Sequence, residues 1–320
     1  MFDTLAAIIV STIHNSPVLI FAAMAGLFAE RSGVIDLALE GKMLASAFAS
    51  AGVAFATQNV WLGIAAGIAV SALVALIQGF VSITQRGNQL VAGIAINITM
   101  SGLTFVLAQY FFEQGGQTPN LGDNRLAEIV LPGTAAVADI PFLGWFYGHI
   151  LGGHTVLVYL AFALIPIVHF VLYNSRFGLR LRACGENPHA ADAAGVSVQQ
   201  TRYVAMLIAG VLCSFAGAYV SIVQSGFFLK DMTAGAGYLA LTAMVFGNWR
   251  PLHTVLGCLM FGFFGALQVQ MEGVDLPVVG RIPGSLIQMI PYVVTVIVLA
   301  GLMAKSVAPK AIGQPFVKSR

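Results

Sequence analysis

Long apolar stretches, separated by short polar segments, follow one another along almost the whole chain. A helix needs about 20 apolar residues to cross a hydrocarbon layer about 30 Å thick, and nine stretches approach or exceed that length. They lie at 4–29, 30–58, 60–84, 89–112, 154–174, 201–224, 225–248, 252–271 and 285–304. The pattern predicts an all-α polytopic membrane protein with about nine crossings.

Two of these stretches are interrupted by polar residues and glycine, at corresponding places in the two halves of the chain. The interruptions are Glu30–Gly41 and Gln224–Gly237, and each contains Ser-Gly and ends in glycine. Paired interruptions point to the central pathway of a transporter, because unwound backbone at membrane depth needs hydrogen bonds from protein or a water-filled cavity. The distribution of Lys and Arg places the start of the first half outside and the start of the second half inside, so we predict two halves of inverted topology, each with a broken helix. The alternative is that both segments are ordinary loops. The residues assigned to the broken helices and pathway are Glu30, Arg31, Ser32, Gly33, Asp36, Glu40, Gly41, Ser225, Gly226 and Gly237.

The first interruption is unusually charged. Charges within a membrane are costly and are usually paired or functional. We interpret these charges as an internal network, with Arg31 or Lys42 paired with Asp36 or Glu40, in preference to direct contact with a substrate.

The composition supports a membrane location. Of 320 residues, 58% are hydrophobic and only 9% are charged, against roughly a quarter charged in a soluble domain. Such a surface excludes a cytosolic enzyme, a secreted disulfide scaffold and a disordered chain. The net charge of +2 does not indicate a nucleic-acid partner, and Cys184, Cys213 and Cys258 are too widely spaced to predict a disulfide framework or a metal cluster.

The basic residues predict the orientation. Twelve of the 15 Lys and Arg residues fall in 31–42, 85–88, 175–202, 248–251 and the segment from 305 onward. Because Lys and Arg concentrate on the cytoplasmic side, we predict the N-terminus outside and the C-terminus in the cytoplasm. A single transmembrane domain, 1–320, then comprises a first repeat at about 4–112, an external loop at 113–153, a linking helix at 154–174, a cytoplasmic loop at 175–200, a second repeat at about 201–304 and a cytoplasmic tail at 305–320.

Motifs for catalysis or nucleotide binding are missing from the sequence. It contains no GxxxxGK[ST], HExxH or GxSxG, and its six histidines show no ligand spacing. We therefore predict no catalytic residues, no metal and no cofactor in this chain.

The loop at 175–200 contains a short helix-forming segment. Asn187 suits an N-cap and Pro188 the first helical position, and Gly195 can end the helix. The residues between are small, with Asp192 as the only charge, so we predict a smooth helix that inserts into a groove on another protein; an ordinary solvated loop is the alternative. The residues assigned to this docking element are Arg182, Gly185, Glu186, Asn187, Pro188, Ala190, Ala191, Ala194 and Gly195.

Three segments resemble one known family. Residues 182–196, RACGENPHAADAAGV, resemble the cytoplasmic loop of ABC-importer permeases of the branched-chain amino acid and simple-sugar superfamily, close to RAxGxNPxAAxxxGI. Residues 30–41 resemble the family's ERxGVxNxGxEG, in a form most like the nucleoside-uptake branch, and residues 237–251 resemble GxxALAxxxxGxWxP. This chain departs from the family at Asp36, where Asn is usual, at Ala38, which replaces Gly, and at Ala236, where many relatives carry Arg.

The resemblance implies the permease subunit of an ATP-driven importer in the lipid bilayer of a bacterial plasma (inner) membrane, for nucleosides or, alternatively, simple sugars. It implies as partners a second homologous permease, a cytosolic ABC ATPase that holds ATP and Mg and contacts the short helix, and an extracytoplasmic substrate-binding protein. A small neutral polar substrate calls for amides and aromatic rings, and the candidates are Asn97, Gln109, Gln224, Phe227, Phe228, Gln268 and Gln270. An ion-coupled secondary transporter is a further alternative, disfavoured because the uninterrupted spans are almost free of acids.

Overall fold

The computed structural model describes residues 2–122, 124–129, 146–271, 275–276, 280–281, 289–290, 293, 296 and 307–318. The helices within these ranges are α1 (Phe2–Arg31), α2 (Leu39–Thr57), α3 (Val60–Gly79), α4 (Gln89–Phe112), α5 (Val156–Asn174), α6 (Arg176–Glu186), α7 (Pro188–Ala193), α8 (Val198–Ala218), α9 (Ala236–Phe246) and α10 (Pro251–Met271). Wider π-helical turns follow α3 at Phe80–Thr84, precede α5 at Phe146–Leu151 and follow α8 at Tyr219–Ser225. Two short antiparallel pairs join β1 (Glu128–Ile129) to β2 (His154–Thr155) and β3 (Asp275–Leu276) to β4 (Gly280–Arg281).

The described part of the chain is mostly helical, as predicted. Six of its helices are long and apolar enough to cross a membrane: Ala6–Arg31, Val60–Thr84, Gln89–Phe112, Val156–Asn174, Val198–Ser225 and Pro251–Gln270. They match six of the nine predicted stretches. The stretch at 285–304 lies mostly outside the described residues, and the other two are the interrupted ones.

Neither interrupted stretch is a simple crossing. Helix α1 continues through Glu30 and Arg31, so the predicted start of a new crossing at residue 30 is wrong. The chain turns at Gly33, whose φ of 92° is left-handed and suits glycine, and α2 begins only at Leu39. In the second stretch α9 has 11 residues and a length of about 16 Å, which is about half the hydrocarbon thickness.

The predicted loop at 175–200 is also largely helical. Helix α6 occupies Arg176–Glu186, where no helix was predicted. Helix α7 spans Pro188–Ala193, with Asn187 at the N-cap and Pro188 at the first helical position, as the sequence predicts. Helix α8 begins at Val198, slightly before the predicted start of the second repeat.

The core forms around the second half of α1. The side chains of this half are almost all buried, and they pack with side chains from α5, α8, α9 and α10. Helices α2 and α8 approach to backbone contact, because a Cβ at Gly217 would lie 2.2 Å from the Met43 carbonyl oxygen. Small residues at such crossings are how membrane helices gain close van der Waals packing.

Segments rich in basic residues meet at one end of the bundle. Arg31 Nη2 donates to the Trp249 carbonyl at 2.9 Å, and Val307 N donates to Asn248 Oδ1 at 3.0 Å. The Gly313 amide donates to the Gly33 carbonyl at 3.0 Å. The end of α1, the turn before α10 and the C-terminal tail therefore share a face, as their grouping by charge predicts.

Candidate functional site

A fully buried ion pair lies in the first interruption. Lys42 Nζ donates to both carboxylate oxygens of Asp36, at 2.7 and 2.6 Å, and both side chains are 0% exposed. This is one of the pairings expected from the sequence. Arg31 takes no part in it: its guanidinium binds the Trp249 carbonyl, and the Trp249 indole donates to Glu30 Oε2 at 2.6 Å.

Two glutamines satisfy the unwound backbone between α1 and α2. The Ile35 amide donates to Gln89 Oε1 at 2.7 Å, and Gln78 Nε2 donates to the Ile35 carbonyl at 3.3 Å. Side chains thus supply the hydrogen bonds that a broken helix needs at membrane depth. Sequence reasoning missed both residues, although Gln78 is conspicuous as an amide within the apolar stretch of α3.

Glu40, in the first turn of α2, joins the two interruptions. Its Oε1 accepts hydrogen bonds from Thr233 Oγ1 at 2.5 Å and from the Gly235 amide at 2.8 Å, and its Oε2 accepts one from the Gly237 amide at 2.7 Å. These amides form the N-terminus of α9, where unpaired N–H groups and the helix dipole favour a negative charge. Gly235, the residue at the N-cap position, has no side chain to cap the helix, so Glu40 caps α9 from another helix.

Asn97 on α4 completes this junction. Its Oδ1 accepts from the Gly41 amide at 2.8 Å, and its Nδ2 donates to the Leu37 carbonyl at 2.9 Å and to Tyr238 Oη at 2.8 Å. Both edges of the amide are therefore used to connect α4 with the first interruption and with α9.

An open cleft of about 280 Å³ lies beside the junction. Its described lining consists of Glu40, Gly41, Leu44, Asn97, Ile98, Ser101, Asp231, Thr233 and Tyr238. Ser101 Oγ donates to Asp231 Oδ1 at 2.6 Å. Two carboxylates but neither Lys nor Arg occur among these described residues, and the Tyr238 ring is partly exposed at 44%. The cleft therefore offers acceptors, hydroxyl groups and an aromatic face to a small polar molecule.

The structure brings one of the seven predicted substrate candidates, Asn97, to this cleft. Phe228 is instead buried against Phe48, with ring centroids 5.4 Å apart. Gln224 Nε2 donates to the His14 carbonyl at 3.5 Å, beside a separate cavity of about 500 Å³. The others lie outside the described lining of the cleft, exposed or half-buried: Gln109, Phe227, Gln268 and Gln270.

Four polar residues of the cleft were missed by the sequence reasoning: Ser101, Asp231, Thr233 and Tyr238. Asp231 and Tyr238 lie within or next to the second interruption, and this proximity is the signal that could have found them. The serine carries no such signal, because hydroxyl groups are common in membrane helices.

The short helix α7 is present at the end of the bundle. Asn187 Oδ1 accepts from the Ala190 amide at 3.0 Å as the N-cap, and Gly195 follows with a φ of 82°. Pro188 and Ala191 face inward and are buried, whereas the surface of the helix is formed by His189, Ala190, Ala193 and Ala194. Small exposed side chains make this surface smooth, and its docking role stays a prediction.

Helices α6 and α8 contact the turn after α1 directly. A Cβ at Gly185 would lie 2.2 Å from the Arg31 carbonyl oxygen. Arg202 Nε donates to the Ser32 carbonyl at 3.1 Å, and the Arg182 guanidinium lies 4.8 Å from the centre of the Tyr173 ring. A displacement of α6 or α8 would therefore move Ser32 and Gly33.

Membrane-length helices around two interrupted segments that meet at the half-buried Glu40 carboxylate define a multi-pass membrane transport protein. The family of permease components of branched-chain amino acid transport systems matches residues 8–299, and the chain belongs to this family. The resemblance found in the three motifs is thereby confirmed, and so is the prediction of a transport subunit rather than an enzyme.

Curated relatives match nearly end to end. The chain is 36% identical to the nucleoside ABC transporter permease protein NupC of Lactococcus lactis subsp. cremoris, over 99% of both chains. It is 33% identical to the guanosine ABC transporter permease protein NupQ of Bacillus subtilis, over 99% of this chain and 98% of the relative. It is also 33% identical to the putative glucose ABC transporter permease protein TsgC13 of Haloferax volcanii, over 85% of this chain and 79% of the relative.

Proposed function

We propose that this chain is the membrane-spanning permease of an ATP-driven importer of nucleosides. The observation that carries the proposal is the full-length identity of 36% and 33% to permeases of nucleoside and guanosine transporters. The similarity to a putative glucose permease covers less of both chains, so simple sugars are the second candidate.

The chemistry of the cleft supports a neutral substrate. Glu40 and Asp231 supply negative charge, and like charges repel strongly where water is scarce. A phosphorylated molecule is therefore disfavoured, whereas ribose hydroxyl groups can donate to a carboxylate. The exposed Tyr238 ring offers a face on which a nucleobase stacks.

We assign each expected partner to the surface of this chain that would suit its binding. The smooth face of α7 would receive a cytosolic ATPase that holds ATP and Mg, so that this chain needs no cofactor of its own. A second, homologous permease would close the open side of the cleft, where Ile98 is 69% exposed. A substrate-binding protein would deliver the nucleoside at the opposite, external end.

The same proposal includes the membrane arrangement. Nine crossings in two inverted halves put the N-terminus outside and the C-terminus in the cytoplasm of a bacterial plasma membrane. The half-length helix α9 and the extended segment before α2 support it, because they meet at Glu40 as paired broken helices should.

Uptake by the reconstituted complex tests the proposal. Proteoliposomes would hold this chain, the second permease and the ATPase, with the binding protein added outside, and labelled guanosine, guanosine monophosphate and glucose would be compared. We expect ATP-dependent uptake of guanosine that an uncoupler leaves unchanged, with little uptake of the monophosphate. Preferred uptake of glucose would favour the sugar alternative, and uptake that persists without ATP but collapses with an uncoupler would indicate an ion-coupled transporter.

A further inference from the structure

The C-terminal tail, residues 307–318, lies across the end of the bundle that carries α6 and α7. The Ala311 amide donates to the Gly185 carbonyl on α6 at 2.9 Å, and the Gly313 amide donates to the Gly33 carbonyl after α1 at 3.0 Å. At Val307, the first described residue of the tail, the backbone amide donates to Asn248 Oδ1. Three segments that are far apart in sequence are therefore bound by one short stretch of chain.

An aromatic side chain anchors the far end of this tail. Phe316 is buried in a small apolar cluster with Cys184 of α6, Ala191 of α7 and Val198 of α8. Its ring also contacts the His189 ring, with centroids 5.3 Å apart. Terminal segments are poorly ordered unless they are tied down, and this cluster ties the tail to the helix that we assign to docking.

The middle of the tail contacts the first interruption. The buried Arg202 side chain bridges two carbonyls, because its Nε donates to Ser32 and its Nη1 donates to Gln314, each at 3.1 Å. A Cβ at Gly313 would lie 2.8 Å from Ile35 Cδ1. The tail thus touches α7 at one point and the segment 32–35 at another.

We propose that the tail is a strap that transmits movement of α7 to the broken segment between α1 and α2, with Phe316 as its positioning residue. The proposal rests on the proposed function, in which an ATPase displaces α7. Because Phe316 packs against α6, α7 and α8 together, a displacement of these helices moves the tail. Gly313 and Arg202 then transmit this movement to Ser32 and Gly33 through their hydrogen bonds. The direct contact of Gly185 with Arg31 is a parallel route, so loss of the strap reduces coupling without abolishing it.

Phe316→Ala tests the strap, because it removes the anchor and keeps the length and charge of the tail. Cys184 beneath it is a natural reporter: the thiol is fully buried, and burial raises its pKa, so the reactive thiolate is scarce at neutral pH. In the reconstituted complex we would measure alkylation of Cys184 by a small maleimide, using peptide mass spectrometry, together with ATP hydrolysis and guanosine uptake per ATP.

We expect Phe316→Ala to raise Cys184 alkylation by roughly tenfold, since local opening controls access to the thiol. Uptake per ATP should fall by at least about threefold while ATP hydrolysis persists, a split that loss of folding alone would not produce. Phe316→Leu should retain most of the coupling, and Val317→Ala, at an exposed neighbour, is the matched control.

Two results would overturn the strap: increased alkylation with unchanged uptake per ATP, or unchanged alkylation with intact uptake. If Phe316→Ala lowers the yield of the complex, Gly313→Ala perturbs the tail at a φ of 75° without touching the apolar cluster, and the same loss of coupling is expected. A wild-type complex without ATP-dependent uptake contradicts the proposed function and with it the strap. Wild-type activity with unaffected variants contradicts the strap alone.

Discussion

The ion pair between Asp36 and Lys42 allows a quantitative test of what holds the broken helix together. Lys42→Met removes the cation and leaves the Asp36 carboxylate in a site where both side chains are 0% exposed. Removing one partner of a buried pair costs about 3–5 kcal/mol, because the remaining charge is left without compensation. Replacing both partners by neutral groups of similar size is often close to neutral.

The double variant Asp36→Asn/Lys42→Met should therefore recover most of the loss. Asn is the residue usual at this position in the family pattern, so the local backbone accepts it. The expected interaction energy between the two substitutions is at least about 2 kcal/mol, within the range seen for residues in direct contact.

The assay is the free energy of unfolding in mixed detergent micelles for the two single variants, the double variant and the parent chain. Lys310→Met is the matched control, since Lys310 is an exposed lysine and surface substitutions usually change stability by about 0.5 kcal/mol or less. A double variant as unstable as Lys42→Met would refute the reasoning, because the loss would then arise from lysine packing and not from an unpaired charge.

Three further predictions concern the junction, the docking helix and the cleft. Glu40→Gln keeps the size of the side chain but removes the charge that caps α9, so the free energy of unfolding in mixed micelles should fall by about 2 kcal/mol. An unchanged value would contradict the capping role. Ala190→Glu places an acid in the first turn of α7, where it favours the helix, so the chain should fold normally but lose co-purification with its ATPase; undiminished co-purification would contradict docking at this face. Asp231→Asn removes one carboxylate from the cleft and should lower by roughly tenfold the concentration of guanosine monophosphate that halves guanosine uptake. An unaltered concentration would show that Asp231 does not face the substrate.

Apolar length alone predicted the uninterrupted helices. Helices α1, α3 and α10 cover the stretches expected of them to within a few residues, because membrane thickness fixes the length of a span. Helix α6 was missed because Arg176, Arg180 and Arg182 break up its apolar residues, which leaves no long apolar stretch. Its buried face packs against α5 and α1.

The contacts between distant segments could not be predicted from one sequence. Glu40 was singled out as a charge within a broken helix, but its partners lie 193 to 197 residues further along the chain. Most of the substrate candidates lie away from the cleft for a related reason: amide and aromatic side chains in membrane helices often serve neighbouring elements, as Gln224 and Phe228 do here. Ser101 carries nothing in its sequence neighbourhood that reveals its position opposite Asp231.

The contacts of Asp36 and of Glu40 span very different separations along the chain, and this difference has a consequence for biosynthesis. Asp36 and Lys42 are six residues apart, so the nascent chain can neutralise this carboxylate as soon as the first turn of α2 has formed. Glu40 must wait for residues 233–237 to leave the ribosome and enter the bilayer. Until then the first half carries an acid without its hydrogen-bond donors, and a polypeptide that stops after α8 never supplies them. The carboxylate at the centre of the junction is therefore satisfied only once the chain has been made through residue 237.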